Sequence, residues 1–315
     1  MDGKVPENES VLYRVALGLN RAARGSRLGP GLPRAAYGVW EAFWRVYLAA
    51  RSPLRGTSAD FKVAGHRIRM DLRDRTVTRA LYLFRLYEPI ETRCFVGLFR
   101  MGMTVVDIGA NTGYYTILAA MGVGPHGKVI AFEPYPPNAD LLRRNVALNN
   151  LGNVRVEACA VASRTGPAAL YLCSINEGDH RVYDGDDDGF YNAGRARERI
   201  PVAAVALDDY VERLGLDVDL MKVDIQGAEH SALMGMRRTL SARRELVLMS
   251  EFWPHGLLRS GTRPEEFLGE MGALGFRTFE GLREGGFRRA SAEEVLARVR
   301  GRNSTILFFS RAELV

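Results

Sequence analysis

The chain has 315 residues, 47% of them hydrophobic and 25% charged, a globular balance that affords a sizeable core and excludes a disordered, collagenous or disulfide-scaffold chain. The formal charge is +6, and residues 1–60 supply +4 of it through nine Lys/Arg against five acids. Such an arm suits an acidic partner, but no RNA-binding signature with interleaved aromatics accompanies it, so solvated basic surface is the favoured account.

In chain order, the first 30 residues are rich in Gly and Arg, read as loosely ordered, and lack the continuous apolar stretch of a secretory signal. The span 35–50 carries Tyr37, Trp40, Phe43, Trp44 and Tyr47 at three- and four-residue spacing, the mark of one helical face. With Glu41 and Arg45 inside it, it is too short and too polar to cross a bilayer. Packing on its own domain or on a second subunit is the favoured reading, with peripheral membrane contact through 35–50 as the alternative. Phe61 to Asp71 alternates apolar and polar residues around Gly65, as a hairpin does, and Thr78 to Phe99 has helical periodicity interrupted at Pro89.

An α/β rhythm then begins. Strands are predicted at Thr104–Ile108, Lys128–Phe132, Val154–Ala158, Leu220–Val223, Glu245–Ser250 and Thr305–Phe309, with helices from Tyr115, Asn138 and Glu229 between them. Buried strands separated by helices indicate an α/β fold with a mostly parallel sheet covered on both faces. An insertion, 166–206, breaks the alternation and is expected to hold two strands, Ala168–Cys173 and Ile200–Ala206. The expected organisation is a basic, aromatic-rich helical extension over 1–57, a hairpin and helix over 58–100, and a catalytic domain over 101–315. Cys94, Cys159 and Cys173 lack metal-ligand spacing and read as reduced thiols, for which a cytoplasmic setting is the default.

The most informative stretch is Val105-Val-Asp-Ile-Gly-Ala-Asn-Thr-Gly-Tyr-Tyr-Thr-Ile117, followed by Lys128-Val-Ile-Ala-Phe-Glu133-Pro134. A buried strand ends near Asp107, Gly109 and Gly113 permit a tight turn, and a helix starts at once, so the loop amides are expected to face a ligand. Glu133, ending the next strand, is placed to bind the hydroxyls of an unphosphorylated ribose. Dinucleotide enzymes carry G-x-G-x-x-G, whereas this loop reads G-x-x-x-G and begins with a carboxylate that repels a diphosphate. S-adenosylmethionine fits better, its ammonium meeting Asp107 or nearby carbonyls. Asp107, Glu133, Asp224 and Glu251 each fall at or just after a strand's carboxyl end, the edge where open α/β sheets bind ligands. For each, helix capping is the bland alternative.

Four runs, Asp107-Ile-Gly-Ala-Asn-Thr-Gly-Tyr-Tyr-Thr116, Ala131-Phe-Glu-Pro134, Asn145 through Asn149, and Lys222-Val-Asp-Ile-Gln-Gly-Ala-Glu229, occur in that order. With Tyr87-Glu88 upstream and Ser250-Glu251 downstream, the chain from about Arg69 to Phe279 resembles the FkbM family of S-adenosylmethionine-dependent methyltransferases. The resemblance implies a class I methyltransferase Rossmann-like sheet and O-methylation of a small metabolite, sugar or glycan. It implies cofactor contacts from Glu88, Asp107, Gly109, Asn111, Gly113, Glu133, Asp224 and, in a turn bordering the adenine, Ala160. Asp224, Gln226 and Glu229 would face the substrate.

Methyl transfer to an alcohol needs alignment and a base within hydrogen-bond reach. The candidates are Asp224, Glu229, Glu251 and His180, the last in a polar loop of the insertion; His255 and His230 are weaker ones. Asp224, Glu229, His230 and Glu251 also suit a divalent ion, but no compact ligand motif demands one, so no metal is assigned. Asp184-Gly-Asp-Asp-Asp-Gly189 mimics the start of a calcium loop, but Arg195 stands where the bidentate acid belongs. Competing readings are a nucleic-acid methyltransferase using the basic arm, a dehydrogenase of related fold, and a non-catalytic scaffold. Homo-oligomerisation stays open.

Overall fold

The computed structural model describes residues 58–63, 65–72, 87–173, 177–184 and 197–315, with the single positions 42, 46, 78 and 81. The first 30 residues, the rest of the aromatic span 35–50 and the calcium-like turn beyond Asp184 lie outside the described residues; Ala42 and Val46 are helical and exposed. The chain divides into two compact units, Met1–Phe61 with Arg69–Tyr87 and Lys62–Ile68 with Glu88–Val315. Strands β1 (Ser58–Val63) and β2 (His66–Asp71) form the expected two-stranded sheet. In the first unit Phe61, Met70, Leu72, Thr78 and Leu81 are buried, and Arg69 pairs with Asp60 at 2.6 Å.

The larger unit carries an eight-stranded sheet. After helix α1 (Pro89–Gly97), its strands are β3 (Thr104–Ile108), β4 (Lys128–Phe132), β5 (Val154–Glu157), β9 (Leu220–Val223), β10 (Val247–Phe252), β11 (Arg277–Gly281), β12 (Phe287–Ala290) and β13 (Thr305–Ser310). Their spatial order is β12-β11-β13-β10-β9-β3-β4-β5. The five from β10 to β5 are parallel, and β13, β11 and β12 run antiparallel beyond β10. The chain moves from β3 outward through β4 to β5, then returns to the other side of β3 with β9. That reversal opens a crevice at the carboxyl ends of β3 and β9, where sheets of this kind bind ligands.

Helices α2 (Tyr114–Gly122) and α3 (Pro136–Leu148) follow β3 and β4, both starting slightly earlier than their periodicity predicts. Pro136 explains the second case, because proline favours a helix's first turn, where its missing N–H costs nothing. Tyr114 to Ala120 are all buried, so α2 is packed on every side. Helices α4 (Leu207–Leu214), α5 (Glu229–Met234), α6 (Arg237–Ala242), α7 (Pro254–Arg259), α8 (Pro264–Ala273) and α9 (Ala292–Arg298) complete the layers. The main core runs from Val106, Ile108 and Phe132 through Met221 and Phe252 to Phe267 and Phe309, apolar side chains that together remove a large area from water.

The insertion contains β7 (Gly166–Leu172) and β8 (Glu198–Val205) as an antiparallel pair, and the short β6 (Ala160–Val161) joins β8 in parallel. Ala160 is therefore a strand residue paired with Ala204, where the resemblance implied a turn. Two strands, β11 and β12, escape the hydrophobic pattern because only Phe279 and Ala290 among them are buried. Cys94, Cys159 and Cys173 are all free thiols.

Candidate active site

Two turns meet at the crevice. The amide of Asp224 donates to the carbonyl of Ile108 at 3.1 Å, tying the end of β9 to the end of β3. Gly109 has φ +77°, and a Cβ there would stand 1.9 Å from the Asp224 carbonyl oxygen. Its missing side chain serves this backbone crossing. The loop amides correct the expectation that they face a ligand. Gly109 and Ala110 both donate to the Phe132 carbonyl at 3.0 Å, Asn111 to Glu133 Oε2 at 2.8 Å, Thr112 to Asn111 Oδ1 at 2.7 Å and Gly113 to the Ala110 carbonyl at 2.9 Å. Gly113 is again a packing glycine, since a Cβ would meet Leu142 Cδ1 at 2.4 Å.

Glu133 is only 6% exposed and accepts from the Asn111 amide through one oxygen and from the Tyr135 amide, at 2.9 Å, through the other. Burial pushes its carboxyl up to about 7, against those two hydrogen bonds and the Lys222 charge. Each oxygen keeps a second lone pair, which suits a diol donating two hydrogen bonds.

Beneath the loop, Asp107 is fully buried; Thr116 Oγ1 donates to it at 2.6 Å and Lys222 Nζ lies 3.4 Å away. Its carboxylate thus supports the loop from within the sheet. Lys222 also donates to the Gly109 carbonyl at 3.3 Å, stands 3.9 Å from Asp224 and lies 5.2 Å from the centre of the Tyr115 ring. Burial works against its charge, but the carboxylates of Asp107, Asp224 and Glu88 outweigh that and raise its pKa. The sequence reading missed Lys222. The signal was there, a charged residue between Met221 and Val223 in a strand with no exposed position. Glu88 joins the same group by accepting from the Tyr115 hydroxyl at 2.7 Å.

Beyond the ends of β9 and β10, Gln226 is the hub. Its Nε2 donates to Asp224 Oδ1 at 2.8 Å and to Glu251 Oε2 at 3.1 Å, joining acids from adjacent strands. Burial, then the charges of Asp224 and Glu229, hold the Glu251 carboxyl well above the usual range. Glu229 folds back on the turn and accepts from the amides of Ile225 and Gly227 at 3.1 and 3.2 Å; burial pushes it up to about 7. Glu88, Asn111 and Gln226 have left-handed backbones with φ 44°, 51° and 57°. Surrounding contacts must hold these costly non-glycine backbones in place; the fourth described residue of this kind, Asn150, follows the end of α3.

His180 lies in a different set of contacts. Its Nδ1 accepts from the Cys173 amide at 3.0 Å, its ring meets Tyr135 edge-on at 4.4 Å, and burial followed by the Arg197 charge pushes it down to about 4. A neutral ring accepting at Nδ1 carries its hydrogen at Nε2, which leaves no lone pair to take an acceptor's proton. His230 Nδ1 lies 3.2 Å from Thr262 Oγ1, and His255 lies beside Trp253 with ring centres 5.6 Å apart. Among the described residues no group of three or more His, Cys, Asp or Glu could hold a metal ion.

Residues 107–278 match the family model described as "Methyltransferase FkbM domain". Methyltransferase sdnD of Sordaria araneosa is 30% identical over 155 residues, covering 42% of this chain and 60% of that protein. The 2-O-methyltransferase NoeI of Sinorhizobium fredii is 28% identical over 149 residues, covering 44% and 60%. The chain thus spans about 60% of the length of these curated relatives. A solved S-adenosylmethionine-dependent O-methyltransferase from Thermotoga maritima superposes with a TM-score of 0.41 at 12% identity, covering 88% of this chain and 81% of that one.

Proposed function

The chain belongs to the FkbM methyltransferase family, and from that premise we propose that it is an S-adenosylmethionine-dependent O-methyltransferase acting on a hydroxyl of a small metabolite, sugar or glycan. The observation that carries this reading is the Asp224–Gln226–Glu251 cluster beside the glycine loop, a general base held at the sheet's switch point. The charges around the crevice favour a cationic cofactor. Among the described residues Asp107, Asp224, Glu88 and Glu133 all act electrostatically on the buried Lys222, an acid excess that suits a sulfonium and an ammonium and disfavours a diphosphate.

S-adenosylmethionine, when bound, supplies an electrophilic methyl group. Glu133 would hold its ribose, while Asn111 and the loop would border its methionine end and Ala160 its base. Asp107 would act through Lys222, fixing the loop carbonyl of Gly109 and the position of Asp224. Asp224 would accept the acceptor's hydroxyl proton, with Gln226 fixing the carboxylate's orientation. Burial and the neighbouring Asp224 and Glu229 charges hold the Glu251 carboxyl above its usual range, which disfavours Glu251 as the base. Glu229 would shape the turn that presents Asp224. The naming of NoeI as a 2-O-methyltransferase supports an oxygen as the methyl acceptor.

The test is transfer of a radiolabelled methyl group from S-adenosylmethionine to a panel of sugars, glycans and secondary alcohols. Asp224→Asn should bind S-adenosylhomocysteine like the parent and transfer nothing. Transfer at the parental rate in that variant overturns the assignment.

A further inference from the structure

The insertion reaches the acid pair through one side chain. Tyr183 donates its hydroxyl to the carbonyl of Gln226 at 2.8 Å. An independent feature marks the same contact. Gly227, at φ +98°, has no space for a Cβ, which would stand 2.6 Å from the Tyr183 hydroxyl and 2.6 Å from the Gly256 carbonyl. The left-handed pair Gln226-Gly227 is therefore pressed between the insertion and α7, and its backbone direction decides where the Gln226 amide points.

Tyr183 is itself anchored. Arg181 pairs with Asp179 at 2.7 Å, Arg197 pairs with the other oxygen of Asp179 at 2.6 Å, and all three side chains are nearly inaccessible. Arg181 lies 4.9 Å from the centre of the Trp253 ring and bridges Tyr171 of β7 through its backbone. A rigid chain of contacts thus runs from the insertion's ion-paired core to the turn beyond β9.

Resting on the assignment of Asp224 as base, we infer that Tyr183 is a positioning residue: its hydroxyl fixes the Gln226 turn, and through the Gln226 amide it holds the carboxyls of Asp224 and Glu251 in their mutual orientation. The phenol suits this task because burial pushes its own pKa to about 12, so it stays a donor throughout the working range. The groups that act on the acid pair are Glu229, Glu88, Lys222 and the Ser304 hydroxyl, and those that act on Tyr183 are Arg181, Glu229, Asp179 and Arg197. Ser304 remains as the other donor to Glu251, so loosening the Gln226 donor removes one hydrogen bond from its ionised form and raises its pKa further.

The experiment needs no acceptor. The Glu251 side-chain carboxyl is titrated by carbon-13 NMR in the full chain, in the parent, in Tyr183→Phe and in Gln226→Leu. Tyr183→Phe keeps the ring and loses only the hydroxyl. The expected result is an upward shift of about half a unit or more in both variants, with affinity for S-adenosylhomocysteine unchanged in Tyr183→Phe. A shift in Gln226→Leu with none in Tyr183→Phe overturns the role of Tyr183; no shift in either overturns the amide clamp. Should Tyr183→Phe fold poorly, Tyr183→Met, flexible, no larger than the ring and without a donor, gives the same reading. Methyl transfer by Asp224→Asn fails the functional assignment alone, since the titration is indifferent to it.

Discussion

Replacing Glu133 with Gln isolates the charge at the proposed ribose site. Burial raises this carboxyl from 4.5 to about 7 in the folded chain, a difference equal to about 3 kcal/mol between its two protonation states. Because the folded pKa is the higher one, the stability conferred by the protonated group is fully present below 4.5 and is lost as pH rises through about 7. Gln keeps the neutral form at every pH. It also loses one of the two backbone hydrogen bonds, at a cost of roughly 1 to 3 kcal/mol that does not depend on pH. The difference in unfolding free energy between variant and parent should therefore climb by about 3 kcal/mol in the variant's favour from pH 4.5 to pH 8. Cofactor affinity should move the opposite way. Ribose hydroxyls donate to the ionised carboxylate, so the parent should bind S-adenosylhomocysteine about tenfold more weakly at pH 6 than at pH 8, about 1.4 kcal/mol, whereas Glu133→Gln should bind weakly at both. Denaturant unfolding and titration calorimetry across this range measure both slopes. Parallel pH profiles for parent and variant, or parental affinity in the variant at pH 8, refute the reasoning.

Lys222→Met leaves Asp107 buried beside no cation and should cost about 3 to 5 kcal/mol in denaturant unfolding, with Asp107→Asn in the same chain restoring a substantial part. Gly109→Ala places a methyl group 1.9 Å from the Asp224 carbonyl at a positive φ and should lower stability by about 3 kcal/mol or more, read as loss of soluble folded protein or a large fall in Tm. Glu229→Gln should shift less in affinity than Glu133→Gln and chiefly change unfolding, since its hydrogen bonds go to the turn; a large loss of S-adenosylhomocysteine binding contradicts that placement.

Much of the α/β frame was legible because buried parallel strands are near-continuous apolar runs. Thr104–Ile108, Lys128–Phe132 and Leu220–Val223 are observed with the predicted bounds. The antiparallel edge was not, because Arg277–Gly281 and Phe287–Ala290 bury one residue each and carry no strong alternation. Position along the strands identified Asp224 and Glu251 as neighbours at one edge, but not the amide of Gln226 that joins them, since its left-handed backbone has no signature beyond the following glycine. The loop glycines were read for ligand approach, and their space is instead taken by the Asp224 carbonyl and by Leu142. Close packing between segments distant in sequence leaves no periodic trace. For the same reason the insertion's Tyr183, some forty residues before its partner, could not be singled out.

The central claim is that the crevice at the ends of β3 and β9 binds an adenosyl sulfonium with Glu133 on its ribose. Calorimetric titration of the full chain with S-adenosylhomocysteine at pH 8 tests it most directly. The account predicts saturable one-to-one binding that Glu133→Ala weakens strongly and that NAD does not compete away. Absence of binding, or displacement by NAD, contradicts it.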